Sequence, residues 1–169
     1  QASRTDARTG IANRGSFFED TRVHLAARSE GTLMSFDLDR FKAINDTHGH
    51  VAGDAVLKGF SAEVSALLEE GMLFCRFGGE EFGILLQGCD LASATASARQ
   101  IQDALLARSM PVSETLALKV TASLGIAALH SGEALASLTA RADRALYRAK
   151  NEGRNRLGLA DPVPVAEAA

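Results

Sequence analysis

The sequence predicts an α+β fold: a central, mostly antiparallel sheet flanked by helices. Three observations carry that prediction. Apolar residues recur at helical spacing in several segments, as at Val56, Leu57, Phe60 and Val64. Short apolar runs bounded by glycine and aspartate lie between those segments and read as strands. The order is helix, strand, helices, hairpin, helix, strand, helix, with no internal repeat, and such runs favour helices packed on an antiparallel sheet.

The elements follow in chain order. Phe17 to Ala27 reads as a helix, with Phe17, Phe18, Val23 and Leu25 among polar residues and Ser16 as its N-cap. Thr32 to Leu38, apolar between Gly31 and the acids Asp37 and Asp39, reads as a buried strand. Arg40 to Asn45 reads as a short helix. Gly53 to Glu69 reads as a longer one, with Leu67 and Leu68 completing its apolar face. Met72 to Gln87 is a β-hairpin. Asp90 caps a helix that runs through Leu105, with Leu91, Ala94, Ala98 and Ile101 on one face. Leu116 to Leu129 is one long strand or two. Leu135 to Lys150 is a helix, and Gly153 lies where a C-terminal cap belongs. Arg156 to Leu159 reads as a last short strand. Asp161 to Ala169, with two prolines and three alanines, reads as a tail or linker, so residues 1–160 form one domain and 161–169 a C-terminal tail.

Composition narrows the function. A chain of 169 residues that is 46% hydrophobic makes one globular domain with a sizeable core. A net charge of −3 and the lack of any lysine- or arginine-rich run argue against a nucleic-acid partner. Nothing resembles a signal peptide and no apolar run reaches membrane-spanning length. The expected location is cytoplasmic, including the cytoplasmic part of a membrane-anchored sensor. Cys75 and Cys89 have no metal-ligand or disulfide-framework spacing and read as reduced thiols.

Chemistry concentrates in Arg76-Phe77-Gly78-Gly79-Glu80-Glu81-Phe82. Two glycines between apolar runs supply a hairpin turn with positive φ. Carboxylates follow at once, so the turn is either a metal–nucleotide site or a surface turn with solvated acids. Asp37 and Asp39 alternate onto one face at the end of the first strand. With the hairpin acids they could form an all-oxygen site for a hard cation; alternatively they cap the next helix, Asp39 more so than Asp37.

Five motifs, in order, resemble the GGDEF family of diguanylate cyclases. They are Asp6-Ala-Arg-Thr-Gly-Ile-Ala-Asn-Arg14, the segment from Asp37-Leu-Asp-Arg-Phe-Lys-Ala-Ile-Asn45 through Gly53-Asp54, and Gly78-Gly-Glu-Glu-Phe82. Val120-Thr-Ala-Ser-Leu-Gly-Ile-Ala127 and Ala142-Asp-Arg-Ala-Leu-Tyr-Arg-Ala-Lys-Asn-Glu-Gly-Arg-Asn155 complete the set. The resemblance covers most of the chain. It implies a palm-like nucleotide cyclase fold that condenses two GTP into cyclic di-GMP and releases two pyrophosphates. It further implies that two domains face each other across a two-fold axis, each holding one GTP.

The same resemblance assigns roles. Asp37, Glu80 and the Leu38 carbonyl would hold Mg²⁺, with Mn²⁺ as a substitute. Glu80, or else Glu81, would deprotonate the attacking hydroxyl, and Glu80 is favoured. Lys42 would face phosphate, and Phe41 with its neighbours would offer backbone N–H groups at a helix start. Gly78 and Gly79 would let the nucleotide approach the turn. Lys150 and Arg154 would clamp the β- and γ-phosphates; the plain alternative is that they complement a helix C-terminus. Asn45 and Asp54 would read guanine, and His50 would lie beside them; the plain alternative for Asp54 is a helix N-cap after Gly53. Leu57 would line the base pocket or serve the core, and His48 has no assigned role.

Two departures stand out. Arg8 replaces the leucine usual in the opening motif and is expected to alter base packing or nucleotide affinity. The family's product-inhibition site, Arg-x-x-Asp, is missing from Leu68-Glu-Glu-Gly-Met-Leu73, which implies no feedback inhibition there. An active cyclase is the favoured reading, because Asp37, Gly78, Gly79, Glu80, Lys150 and Arg154 are all present. The alternatives are a catalytically silent GTP-binding regulatory domain and a cyclic di-GMP receptor. A sensory or dimerising region is expected to precede this stretch.

Overall fold

The computed structural model describes residues 3–27 and 30–162. Eight strands and five helices follow one another among these residues. The order is β1 (Ala12–Asn13), α1 (Arg14–Ala27), β2 (Gly31–Leu38), α2 (Phe41–His48), α3 (His50–Leu67), β3 (Met72–Gly78) and β4 (Glu81–Gln87). Then come α4 (Leu91–Ala107), β5 (Met110–Pro111), β6 (Ala117–Leu118), β7 (Ala122–Ala128), α5 (Leu135–Asn151) and β8 (Leu157–Leu159).

Six strands form one sheet in the order β1-β3-β4-β2-β7-β8. The inner pairs, β3 with β4, β4 with β2 and β2 with β7, are antiparallel. The edge strands β1 and β8 pair in parallel. The α+β expectation therefore holds. All eight residues of β2 are buried, as a central strand requires.

Strand alternation sorts the side chains onto two faces. Met34, Phe36 and Leu38 turn toward α3 and α4, where they meet Val56, Leu57, Phe60 and Ile101. Leu33 turns the other way, with Cys75 and Leu85, against Phe17 of α1 and Leu138 and Ala142 of α5. The sheet is thus the middle of three layers. Phe82, the last residue of the Gly-Gly-Glu-Glu-Phe motif, is fully buried, with ring centroids 4.7 Å from Phe60 and 5.9 Å from Phe74. Burying such a ring is worth about 1.5–3 kcal/mol, which anchors the hairpin directly beside its turn.

Several boundaries differ from expectation. The first helix starts at Arg14, and its cap is Asn13, whose Oδ1 accepts from Ser16 N–H at 3.0 Å; Ser16 lies inside the helix. The apolar stretch from Leu116 to Leu129 is two strands in different sheets, since β6 pairs only with β5. Of the expected tail, residues 163–169 lie outside the described residues. Cys75 is buried, which pushes its thiol up, and both cysteines are free thiols. Among the described residues no helix is long and apolar enough to cross a membrane.

Candidate active site

The hairpin turn is built by two residues with positive φ, a conformation that favours glycine. Gly78 has φ 145° and Gly79 φ 52°, and the register slips between Arg76 and Gly78. Arg76 lies nearly buried beneath the turn. Its Nε and Nη2 donate to the Gly79 carbonyl at 3.0 and 2.8 Å, and its Nη1 donates to the Asp6 carboxylate at 3.1 and 3.2 Å. Asp6 also accepts from Thr9 N and Oγ1 at 2.9 and 2.7 Å. Burial works against ionising Asp6, but the bonds from Thr9 and Arg76 prevail and hold its carboxyl below the usual range.

The end of β2 meets this turn edge-on. Leu38 N–H donates to the Glu80 carbonyl at 3.1 Å, and Asp37 stands opposite Glu81 in the ladder. Asp37 is buried and accepts a hydrogen bond from Lys150 Nζ at the end of α5. Burial raises its carboxyl above the ordinary value; Lys150 opposes that rise, and the charges of Glu80 and Glu81 reinforce it. A carboxylate held this way is suited to a divalent cation, and the ammonium now beside it shows that the position accepts positive charge. Among the described residues no group of three or more His, Cys, Asp or Glu converges to hold a metal. A hard cation here would use two carboxylates, a carbonyl and oxygens of its ligand.

Asp39 has a different role from the one expected. Its carboxylate accepts from Thr121 Oγ1 and Ser123 Oγ at 2.7 Å each, and from Asn155 N at 2.9 Å. It caps no helix: Arg40 holds the N-cap position of α2 in a left-handed conformation, with no side-chain cap. No side chain therefore caps the N–H groups of the first turn of α2.

One cavity of about 520 Å³ gathers Phe41, Lys42, Asn45, His50, Asp54, Leu57, Gly79 and Glu80, together with Arg8 and Arg76. Gly53 makes room for Asn45, because a Cβ there would come within 1.8 Å of Asn45 Oδ1. That oxygen is buried and accepts no hydrogen bond, so a ligand donor would satisfy it. Asp54 is the fifth residue of α3, whose N-cap position is Gly49, so Asp54 is not a cap. Its Oδ1 takes a hydrogen bond from Arg8 Nη1 at 3.0 Å.

The family model "Diguanylate cyclase, GGDEF domain" matches residues 3–156. The chain belongs to the GGDEF family. The diguanylate cyclase DgcM of Escherichia coli K12 is 39% identical over 160 residues, covering 92% of this chain and 38% of that protein. This GGDEF domain thus spans under two fifths of that relative's length. The crystal structure of the GGDEF domain of DgcB from Caulobacter crescentus, in complex with c-di-GMP, superimposes with a TM-score of 0.89 at 30% identity, covering 94% of this chain and 96% of that one. The active GGEEF domain of a diguanylate cyclase from Vibrio cholerae gives 0.83 at 30% identity, covering 90% and 99%.

The expected site residues of the GGDEF domain do not all share one space. Lys150 and Glu81 line a second cavity, of about 230 Å³, with Ser35, Phe77, Asp143 and Tyr147 on the α5 side of the sheet. Glu81 is thereby separated from Glu80 and from the larger cavity. Lys42 is exposed, and its Nζ donates to Asp46 Oδ2 at 2.7 Å along its own helix. Arg154 sits in a left-handed turn after α5, next to the Asn155 N–H that Asp39 fixes. His48 ends α2 outside both cavities. The sequence assigns Arg76 no role; its one local sign is a lone arginine in an apolar strand, two residues before the glycine pair.

Proposed function

We propose that this GGDEF domain is a diguanylate cyclase that condenses two GTP into cyclic di-GMP with release of two pyrophosphates. The observation that carries the proposal is the single cavity lined by Asn45 and Asp54 together with Glu80 and the first turn of α2. A base would enter the recess, where Asp54 accepts from guanine N1–H and the exocyclic amine and Asn45 Oδ1 takes a further donor. Adenine presents an acceptor where guanine presents N1–H, so it would leave a polar partner unpaired.

The phosphates would lie on the N–H groups of Phe41 and Lys42, with Lys42, Lys150 and Arg154 as cations around them. Asp37, Glu80 and the Leu38 carbonyl would hold Mg²⁺ or Mn²⁺, which when bound neutralises triphosphate charge and stabilises the displacement. Glu80 is the group to accept the proton of the 3′-hydroxyl, because it lines the cavity and Glu81 does not. The 3′-oxygen of one GTP then bonds to the α-phosphorus of the other, and pyrophosphate leaves. One domain supplies one GTP, so two copies related by a two-fold axis complete the reaction. Glu69 and Glu70, where the inhibitory arginine would begin, are exposed acids, so product inhibition through that surface is not expected.

Incubation with GTP and Mg²⁺ at several protein concentrations, with product analysis, tests the proposal. Cyclic di-GMP should form, at a rate per protein that rises with concentration until dimers saturate. GTP binding without any product would instead establish the silent regulatory reading.

A further inference from the structure

We infer that Arg8 is a built-in competitor for the guanine edge, occupying Asp54 until a nucleotide displaces it. The inference rests on the guanine-reading role proposed for Asp54. Arg8 sits in the turn from Asp6 to Gly10. That turn is closed by Gly10 N–H donating to the Asp6 carbonyl at 2.8 Å and by the two bonds from Thr9 to the Asp6 carboxylate. The Asp6–Arg76–Gly79 chain fastens it to the hairpin turn. From this fixed base Arg8 reaches across the cavity to Asp54, 46 positions away in sequence.

The chemistry makes the two partners exclusive. A guanidinium presents N–H donors on neighbouring nitrogens around one carbon. Guanine presents the same pattern on its N1–H and exocyclic amine. Arg8 engages Asp54 through one nitrogen on one oxygen, Nη1 to Oδ1, so a guanine that takes both carboxylate oxygens along that edge competes with the arginine for Oδ1. Adenine cannot make the same exchange, because its corresponding edge offers an acceptor beside a single amine.

The magnitude is bounded by exposure. The Arg8 side chain is 60% exposed and that of Asp54 40%, so water screens the pair. An exposed pair shifts an equilibrium by no more than about five-fold. Arg8 therefore tunes nucleotide affinity and does not block the site.

The test is calorimetric binding of 3′-deoxy-GTP and 3′-deoxy-ATP, which lack the attacking hydroxyl and cannot turn over. The readout is the ratio of the two affinities, since loss of a positive charge near the phosphates affects both analogues alike. Arg8→Leu should raise the preference for the guanine analogue by about two- to five-fold over wild type. Arg8→Lys, which keeps the charge and can still pair with Asp54, should raise it less. A ratio that is unchanged or lower in Arg8→Leu, with wild type still preferring guanine, would overturn the competitor role and leave the guanine reading standing. A wild-type protein that binds both analogues equally would overturn the guanine reading and this inference with it.

Discussion

Asp37 near the end of β2 and Asp39 just beyond it are both buried, yet the fold treats them in opposite ways. Asp39 is buried and receives three hydrogen bonds, from Thr121, Ser123 and Asn155. It ties together the start of α2, the start of β7 and the turn carrying Arg154. Asp37 is equally buried but has one ammonium for company and two further carboxylates nearby. One acid is satisfied by the fold; the other is left in an environment that penalises its charge. Perturbed carboxyls of this kind gather at functional sites, and under the proposed function a bound cation would relieve the penalty at Asp37.

The sharpest way to break the comparison is through activity. Asp37→Asn and Glu80→Gln should each reduce cyclic di-GMP synthesis on the order of 10²-fold or more, because several kcal/mol of charge stabilisation leaves with the carboxylate. Circular dichroism should show both variants folded. Near-normal turnover in either would remove that residue from the metal site.

The next largest effect belongs to Asp39. Asp39→Ala leaves the Asn155 N–H and two hydroxyls without their acceptor, a loss of about 2–4 kcal/mol. For a domain of this size the melting temperature should drop by roughly 5–15 °C. Denaturant unfolding of a well-expressed variant with an unchanged midpoint would show that the three bonds are not a structural tie.

Asp37 should respond with the opposite sign. Its folded-state carboxyl is raised above the ordinary value of 3.8, so the folded protein holds the proton more tightly than the unfolded chain. Stability therefore falls as pH rises through the window between the two values, and stays lower above it. Asp37→Asn removes that fall, and Lys150, partly exposed, can turn to water. The variant should melt at or slightly above the wild-type temperature at pH 7, within about 1 kcal/mol. Clear destabilisation at pH 7, comparable to Asp39→Ala, would erase the distinction.

Why only part of this was legible is plain from particular residues. The Gly-Gly turn, the buried β2 and the cap at Asp90, whose carboxylate accepts from Ser93 N–H, are encoded within a few consecutive residues and were read correctly. β1 and β5 are two residues each, too short for a period, and exist only through pairing with β3 and β6. The sequence offers Asp39 as a cation ligand or a helix cap and hides its actual role, because its three donors lie 82, 84 and 116 positions away. The cluster Asn45, Asp54 and Glu80 was visible only through motif resemblance; spacing alone does not reveal that Gly53 admits Asn45 to the recess. That Glu81 lines a different cavity from Glu80 depends on the register of the bulged turn, and that Lys150 joins Glu81 there depends on how α5 packs on the sheet, neither of which the sequence spells out.

Asp6 offers a control of sign. Like Asp37 it lies beside a cation, Arg76, but its carboxyl is held below the ordinary value of 3.8 because the hydrogen bonds from Thr9 and Arg76 outweigh burial. The folded protein therefore releases this proton more readily than the unfolded chain. The stability Asp6 contributes is present above the unfolded value and is lost as pH falls through the folded one. Asp6→Asn keeps an acceptor for Thr9 and loses the charge toward the nearly buried Arg76, so it should lower stability at pH 7 by about 1–3 kcal/mol. Urea midpoints of variant and wild type should draw together as pH falls below the ordinary value of 3.8 and through the lower folded one. The same titration on Asp37→Asn should show the variant gaining on wild type as pH rises. If both variants track wild type with one common slope, the two acids are energetically alike and the contrast between a turn that serves the fold and a strand end that serves chemistry fails.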